Sequence, residues 1–464
     1  MSATAAGAAA DRLSARDALG FVVLAWYALY PLFLGGNRDW IWPWFAALAF
    51  ALLALTALAY ARSRLDCGLL QCLPRTLLLL LLAWPASAAL HLIGSPLDSA
   101  AVSDATLRDS AHVAMALLAL VACESRRDLL FLAGGVVAIG TAQALGGALM
   151  ALAGSAWVPV GERVAPAGIA VGTYVNRNHF AGLLALASGL GFGLLLARMA
   201  TESAPDWRSA ARRTLRAVLG ATFWLRAALV VLLVGLVMSQ SRLGNLALLG
   251  ALLVGSLWAL WRWKPRPRRL VLLLISIALL DLLIVGSWFG LERLAERIER
   301  TELIAAPAAG GSRLEPADAE RLIVARATLE LWRERPWLGH GPGGFRVGFP
   351  AVKPEPIAVF YDHAHNDWLQ ILAERGVVGF GLWLGLIGGA VFAGFRSVAR
   401  RNARARGLAL GGALGLLALA LHGLGDFNWQ IPANGALSLL LIALVGAAAA
   451  PVTAASQNGT FLAR

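Results

Sequence analysis

Charge is scarce in this chain: 14% of its 464 residues are charged, whereas 59% are hydrophobic. No soluble fold of this size solvates such a surface, which excludes a soluble enzyme. Alternating polarity is also missing. The apolar residues run solidly, which excludes a β-barrel, and the runs are too numerous for a single-anchor receptor. Cysteine is nearly absent, and Cys67, Cys72 and Cys123 are too few for a disulfide framework. No internal repeat is found. No cleavable signal is expected, because the Ala-rich start with Arg12 and Arg16 runs into an apolar stretch with no small-residue cleavage site behind it. What remains is an all-α polytopic membrane protein.

A helix needs roughly 20 apolar residues to cross a bilayer core of about 30 Å. Runs of that kind predict twelve transmembrane helices, near 18–36, 40–60, 74–93, 110–123, 129–153, 178–198, 217–238, 243–261, 270–290, 368–395, 407–424 and 432–450. The formal charge of +13 then fixes orientation rather than marking a nucleic-acid partner. With the N-terminus inside, the inner tail and short segments carry 22 basic residues and the outer short segments 5 (Arg38, Arg108, Arg163, Arg177 and Arg242). That asymmetry predicts cytoplasmic termini. The cysteines then face the reducing side, and all seven histidines fall at or beyond the outer ends of helices, so proton-transfer chemistry is expected to face outward.

The longest non-spanning segment, 291–367, is expected outside and holds 12 of the 27 acidic residues. LERLAERIERTEL at 291–303 has i,i+4 charge spacing and reads as an amphipathic helix. APAAGGSRLEPAD is flexible by composition, and a second helix over AERLIVARATLELWRERPW ends at the break GHGPGGF.

Polar residues crowd at Tyr361-Asp362-His363-Ala364-His365-Asn366-Asp367, directly before a long apolar run. One reading is an interfacial cap, with Asn366 or Asp367 capping the helix and the histidines solvated. Zinc is a second reading of His-x-His, although no third ligand of recognisable spacing accompanies it. Arg177, in GTYVNRNHFAG, and Arg242, in SQSRLG, stand at outer helix starts. Either is a snorkelling anchor or, as a pair near a His-rich loop, a bidentate grip for phosphate. Arg346, after the Gly-rich break, is a third candidate. Asp281, alone inside the ninth run, opens a transport reading, but the further midplane carboxylates and broken helices of a transporter are missing.

These segments resemble the O-antigen ligase and Wzy-type polymerase superfamily of bacterial envelope glycosyltransferases. The ligase pattern H-[NSQ]-x9-G-x-x-G matches His365-Asn366 followed by Gly376-Val377-Val378-Gly379. TYVNRNHFAG at 173–182, SQSRLG at 239–244, RPWLGHGPGGF at 335–345 and HGLGDFNWQIPAN at 422–434 follow the family pattern in order. The likeness spans about 170–450, and the first five spans add only generic hydrophobicity. Polymerases share similar His-Asn segments, so a polymerase stands as the alternative to a ligase.

The resemblance implies a GT-C-type membrane glycosyltransferase in the inner membrane with a periplasmic active site and neither metal nor other cofactor. The donor would be a glycan on undecaprenyl diphosphate, the acceptor a sugar hydroxyl on lipid A core or on another lipid-linked glycan. His365 would be the catalytic base, Arg177 and Arg242 the diphosphate grip, with Arg346, His363 and Asn366 also binding substrate. Gly376, Gly379 and Gly381 would leave one helix face small for close packing. The chain would divide into N-terminal spans (1–170), central spans with the outward arginines (171–290), a periplasmic catalytic loop (291–367), and C-terminal spans with a cytoplasmic tail (368–464).

Overall fold

A computed structural model describes residues 14–62, 65–155, 157–162, 168–198, 220–262, 316–354, 360–399 and 402–450. Among the described residues there are thirteen α-helices: α1 (Ala15–Leu32), α2 (Trp42–Ala61), α3 (Arg75–Ala89), α4 (Ser99–Val121), α5 (Arg126–Ala153), α6 (Arg177–Arg198), α7 (Ala221–Met238), α8 (Arg242–Arg262), α9 (Pro316–Glu334), α10 (Gly344–Val352), α11 (Asp367–Arg396), α12 (Ala403–His422) and α13 (Pro432–Ala449). A two-residue hairpin, Trp157–Val158 with Gly161–Glu162, lies between α5 and α6.

Helix starts follow local chemistry. Ser14 with Asp17 and Ser125 with Asp128 form reciprocal capping boxes, and the side chains of Asp98, Asn366 and Asn402 cap α4, α11 and α12. Proline occupies the first turn of α2 and α13, where a missing N–H leaves no bond unmade.

Eight of these helices are long and apolar enough to cross a membrane: α2, α3 with its extension to Leu92, α5, α6, α8, α11, α12 and α13. Their burial sorts them into layers. The spans of α6 and α13 are 94% buried and that of α2 only 17%, so α6, α12 and α13 form the centre and α2, α3 and α11 the rim. Rim side chains such as Trp44, Leu55, Leu79 and Phe392 point outward, as a lipid-facing surface requires.

At the centre α6 and α12 approach backbone to backbone. Gly189 and Gly193 face Gly407, Gly411 and Gly415, and a Cβ on Gly411 would stand 2.7 Å from the Leu190 carbonyl. Small residues four apart on both helices let dispersion contacts hold the pair where lipid offers no hydrophobic drive.

Eleven of the twelve expected runs coincide with described helices, and the remaining one, 270–290 with Asp281, lies outside the described residues, as do the amphipathic run 291–303 and most of APAAGGSRLEPAD. The second extramembrane helix is α9. It packs Val324, Ala327 and Leu331 onto Phe345, Phe349, Ala364 and Ala373, a small separate core that seats α9 and α10 over the start of α11. The helix α10 was not anticipated.

Two expectations are corrected. α4 begins at Ser99 instead of 110, because Asp98 caps it and its polar first turns face a cavity. His112 therefore sits in the middle of a helix, buried, with Nε2 3.2 Å from the Tyr30 hydroxyl, and not at an outer helix end. The glycines of α11 do not form one small packing face either. Gly376 breaks the helix, Gly379 makes room for the folded-back side chain of Arg375, and Gly381 faces open space.

Candidate active site

The site is built on the break in α11. Gly376 has φ 60° and ψ −169°, a conformation that only glycine adopts readily. The backbone groups freed there are taken up by the segment joining α9 to α10. Val377 N–H donates to the Pro336 carbonyl (2.9 Å) and Val378 N–H to that of Trp337 (3.2 Å), while His340 and Gly341 donate to the carbonyls of Ala373 (3.0 Å) and Glu374 (2.8 Å). A Cβ on Gly339 would stand 2.5 Å from the Glu374 carbonyl carbon. RPWLGHGPGGF and the Gly376-x-x-Gly379 pattern are thus two sides of one backbone splice, which accounts for both sets of glycines.

One turn earlier, Gln370 and Glu374 tie this splice to the His-rich loop. The Gln370 amide oxygen accepts from Ala364 N–H (3.1 Å), and its nitrogen donates to His363 Nδ1 (3.0 Å) and to Glu374 Oε1 (3.2 Å). Glu374 also accepts from Phe345 N–H at 3.4 Å. Asn366 caps α11 through Leu369 N–H (3.0 Å) and donates to the Leu424 carbonyl (2.8 Å). Its amide is therefore engaged at both ends.

His365 is held at φ 49°, left-handed backbone for a residue with a Cβ. Its ring meets the rings of Tyr361 and Phe427 edge-on, with centroids at 5.6 and 4.8 Å, and its Nδ1 is buried with no hydrogen-bond partner. His363 stacks on the ring of Phe427 with centroids at 4.2 Å. Burial holds the His365 imidazole below its ordinary pKa against the opposing pull of the Asp426 carboxylate, and pushes that of His363 down to about 3. Both rings are neutral at pH 7.

The turn that carries Phe427 is anchored by two buried carboxylates. Asp367 accepts from Trp429 N–H at 3.1 Å. Asp426 accepts from the Asn178 amide at 2.5 Å and lies 3.4 Å from His179 Nε2. Burial opposes its charge, but the His179 contact and the neighbouring imidazoles hold Asp426 below the usual carboxylate range. Asn178 and His179 follow Arg177 at the start of α6, and Leu243, after Arg242, packs against Gly425. Both arginines are exposed first residues of their helices, and both helix starts abut the turn leading to Phe427.

A cavity of about 770 Å³ opens beside the histidines. His365, His363 and Arg346 line it, whereas Asn366, Arg177 and Arg242 do not. Sequence reading missed its far wall. That wall comes from α4 and the segment before α2, with Arg38, Asp39, Asp104, Arg108 and His112 among the lining residues. Asp104, Arg108 and His112 recur every four residues, one polar stripe on a helix, and that spacing was the available signal. Deeper in, Arg375 Nη2 meets Asp109 Oδ2 at 2.5 Å and its guanidinium lies 3.9 Å from the Trp84 ring centre. A buried pair this well bonded crosslinks α11 to α4. Among the described residues no three His, Cys, Asp or Glu side chains converge as a metal-binding set.

Residues 227–384 match the family model described as O-antigen ligase. The matched stretch runs from α7 into the second half of α11 and includes Arg242, the Gly-rich splice, His363, His365 and Gly376. No curated protein matches the chain. On that match, residues 227–384 of this chain of apolar helices are similar to the O-antigen ligase family, which supports a ligase- or polymerase-like function.

Proposed function

We propose that the protein moves a glycan from undecaprenyl diphosphate to a sugar hydroxyl, on lipid A core in the ligase reading, at the periplasmic face of the inner membrane. The observation that carries the proposal is His365, a neutral ring with an unpartnered nitrogen, on the wall of a cavity directly before α11. His365 takes the proton of the attacking hydroxyl as that oxygen bonds the anomeric carbon. The bond from that carbon to the diphosphate oxygen breaks, and Arg177 and Arg242 take up the charge on the departing diphosphate. Arg346 and His363 border the sugars. Asn366 acts by holding the turn that presents His365. Twelve spans in a GT-C arrangement, with the four-part division at 170, 290 and 367, complete the reading. No step calls for a metal.

Two measurements test it. Arg→Lys at 177 or 242 keeps the charge but loses the bidentate fork, so transfer is expected to fall while expression and insertion hold. Full activity in both Lys variants reduces the arginines to membrane anchors. For sidedness, a cysteine at Ser312 is expected to react with an impermeant thiol reagent from the periplasm and one at Ser209 to remain unlabelled. The reverse pattern moves the site to the wrong face. The glycan profile of a deletion strain separates the readings: full-length polymer left on undecaprenyl diphosphate marks a ligase, single-repeat product a polymerase.

A further inference from the structure

The cavity has chemistry of its own beyond His365. Three of its charged groups are already satisfied: Arg375 and Asp109 by each other, and Glu374 by Gln370 and the Phe345 amide. Four carboxylates, Asp39, Asp98, Asp104 and Asp362, then share the lining with three guanidinium groups, Arg38, Arg108 and Arg346. Arg346 lies 3.8 Å from Asp98, so the two signs are interleaved and not segregated. Among the described lining residues the remaining formal charge is negative by one. A phosphate entering here would meet that field, whereas hydroxyl groups suit it, since carboxylates accept from them and guanidiniums donate to them. Flat apolar surface is present as well: Trp42, Phe360 and Tyr361 line the same space, and their ring faces can cover the apolar face of a pyranose. The volume lies within the range of sites that enclose a small ligand.

We infer that this cavity, walled by α4 and the 36–42 segment on one side and by α10 and the His-rich loop on the other, is a subsite for a phosphate-free saccharide whose hydroxyl is delivered to His365. The inference rests on the transferase reading and adds to it the location and class of the acceptor. The arginines assigned to the diphosphate do not line the cavity, and its net negative lining disfavours a diphosphate. The two substrates therefore approach His365 from different flanks, the donor from the α6 and α8 starts and the acceptor from α4.

The test measures binding by full-length protein in nanodiscs. The probes are core oligosaccharide released by mild acid from the producing bacterium's lipopolysaccharide, as isolated and after hydrofluoric acid has removed its phosphates. The dephosphorylated form is expected to bind at least tenfold more tightly. Arg108→Gln and the exposed Asp104→Asn are each expected to weaken it about tenfold, with Asp104→Asn also narrowing the gap between the two forms. Equal or tighter binding of the phosphorylated form overturns the inference, as does unchanged binding in folded Arg108→Gln and Asp104→Asn proteins, or no binding of either form. A wild type that transfers glycan without these preferences overturns the subsite alone. One that binds the dephosphorylated form as expected but transfers nothing from an undecaprenyl-diphosphate glycan overturns the transferase reading and leaves the subsite standing.

Discussion

Replacing His365 by Ala is expected to reduce glycan transfer by about 10²- to 10⁴-fold, the usual contribution of a positioned general base. Expression and insertion are expected to hold, because Asn366 still caps α11 and the Gln370 bond to Ala364 still fixes the loop. His365→Asn separates the ring from the backbone: Asn accepts positive φ but cannot serve as the base, so it is expected to be as inactive as Ala. His363→Ala is expected to be milder, since that ring stacks on Phe427 and bonds Gln370. Acidity gives a second readout. Burial lowers the pKa of His365 in the folded protein, so its neutral, proton-accepting form persists below pH 6.5 and the acid limb of the rate profile is expected below that of an exposed imidazole. A metal-centred alternative predicts that EDTA stops the wild type and that both histidines matter equally. Transfer from a synthetic undecaprenyl-diphosphate glycan in excess EDTA decides between them, and an active His365→Ala protein removes the proposed mechanism.

The second large effect is expected at Gly376, which touches no substrate in this reading. A side chain there meets a backbone penalty of about 1–3 kcal/mol. In addition, its Cβ would stand 2.5 Å from the Leu338 amide nitrogen. Gly376→Val is therefore expected to expel the 336–341 segment, orphan four backbone bonds and abolish transfer, with protease cleavage appearing between α9 and α10. Gly381→Ala, in open space on the same helix, is expected to be silent in both assays. Equal activity of the two variants would show that the splice is not needed.

Much of the fold was legible because bilayer thickness leaves few options: a solid apolar run of span length has to be a helix, and ten of the eleven described runs agree with the sequence to within a few residues. The exception is instructive. The stretch DATLRDSAH carries three charges and looks like loop when each residue is read for lipid, yet it lies in the first half of α4 because its charges face a cavity and not the membrane. Apolar periodicity cannot register a helix whose buried face is wet. At the site, the His365 pattern and the Gly-rich break could each be seen in the sequence. Their union could not, since it depends on backbone bonds between Pro336 and Val377 that leave no trace in side-chain chemistry. Nor did the pairing of Arg375 with Asp109, 266 positions apart, announce itself in a chain with so few charges.

The splice across Gly376 also bears on how such chains diversify. Because residues 336–341 complete the backbone of α11, neither stretch has a full set of partners without the other, and a graft of one onto a relative inherits mismatched carbonyls and amides. Among the described residues, the far wall on α4 makes no backbone exchange of this kind with them; just before it, the Leu97 N–H donates to the His340 carbonyl at 3.2 Å. Recombination should therefore exchange 335–379 as one block, whereas α4 can be swapped separately to change acceptor preference only where the incoming helix keeps Asp109 as the partner of Arg375.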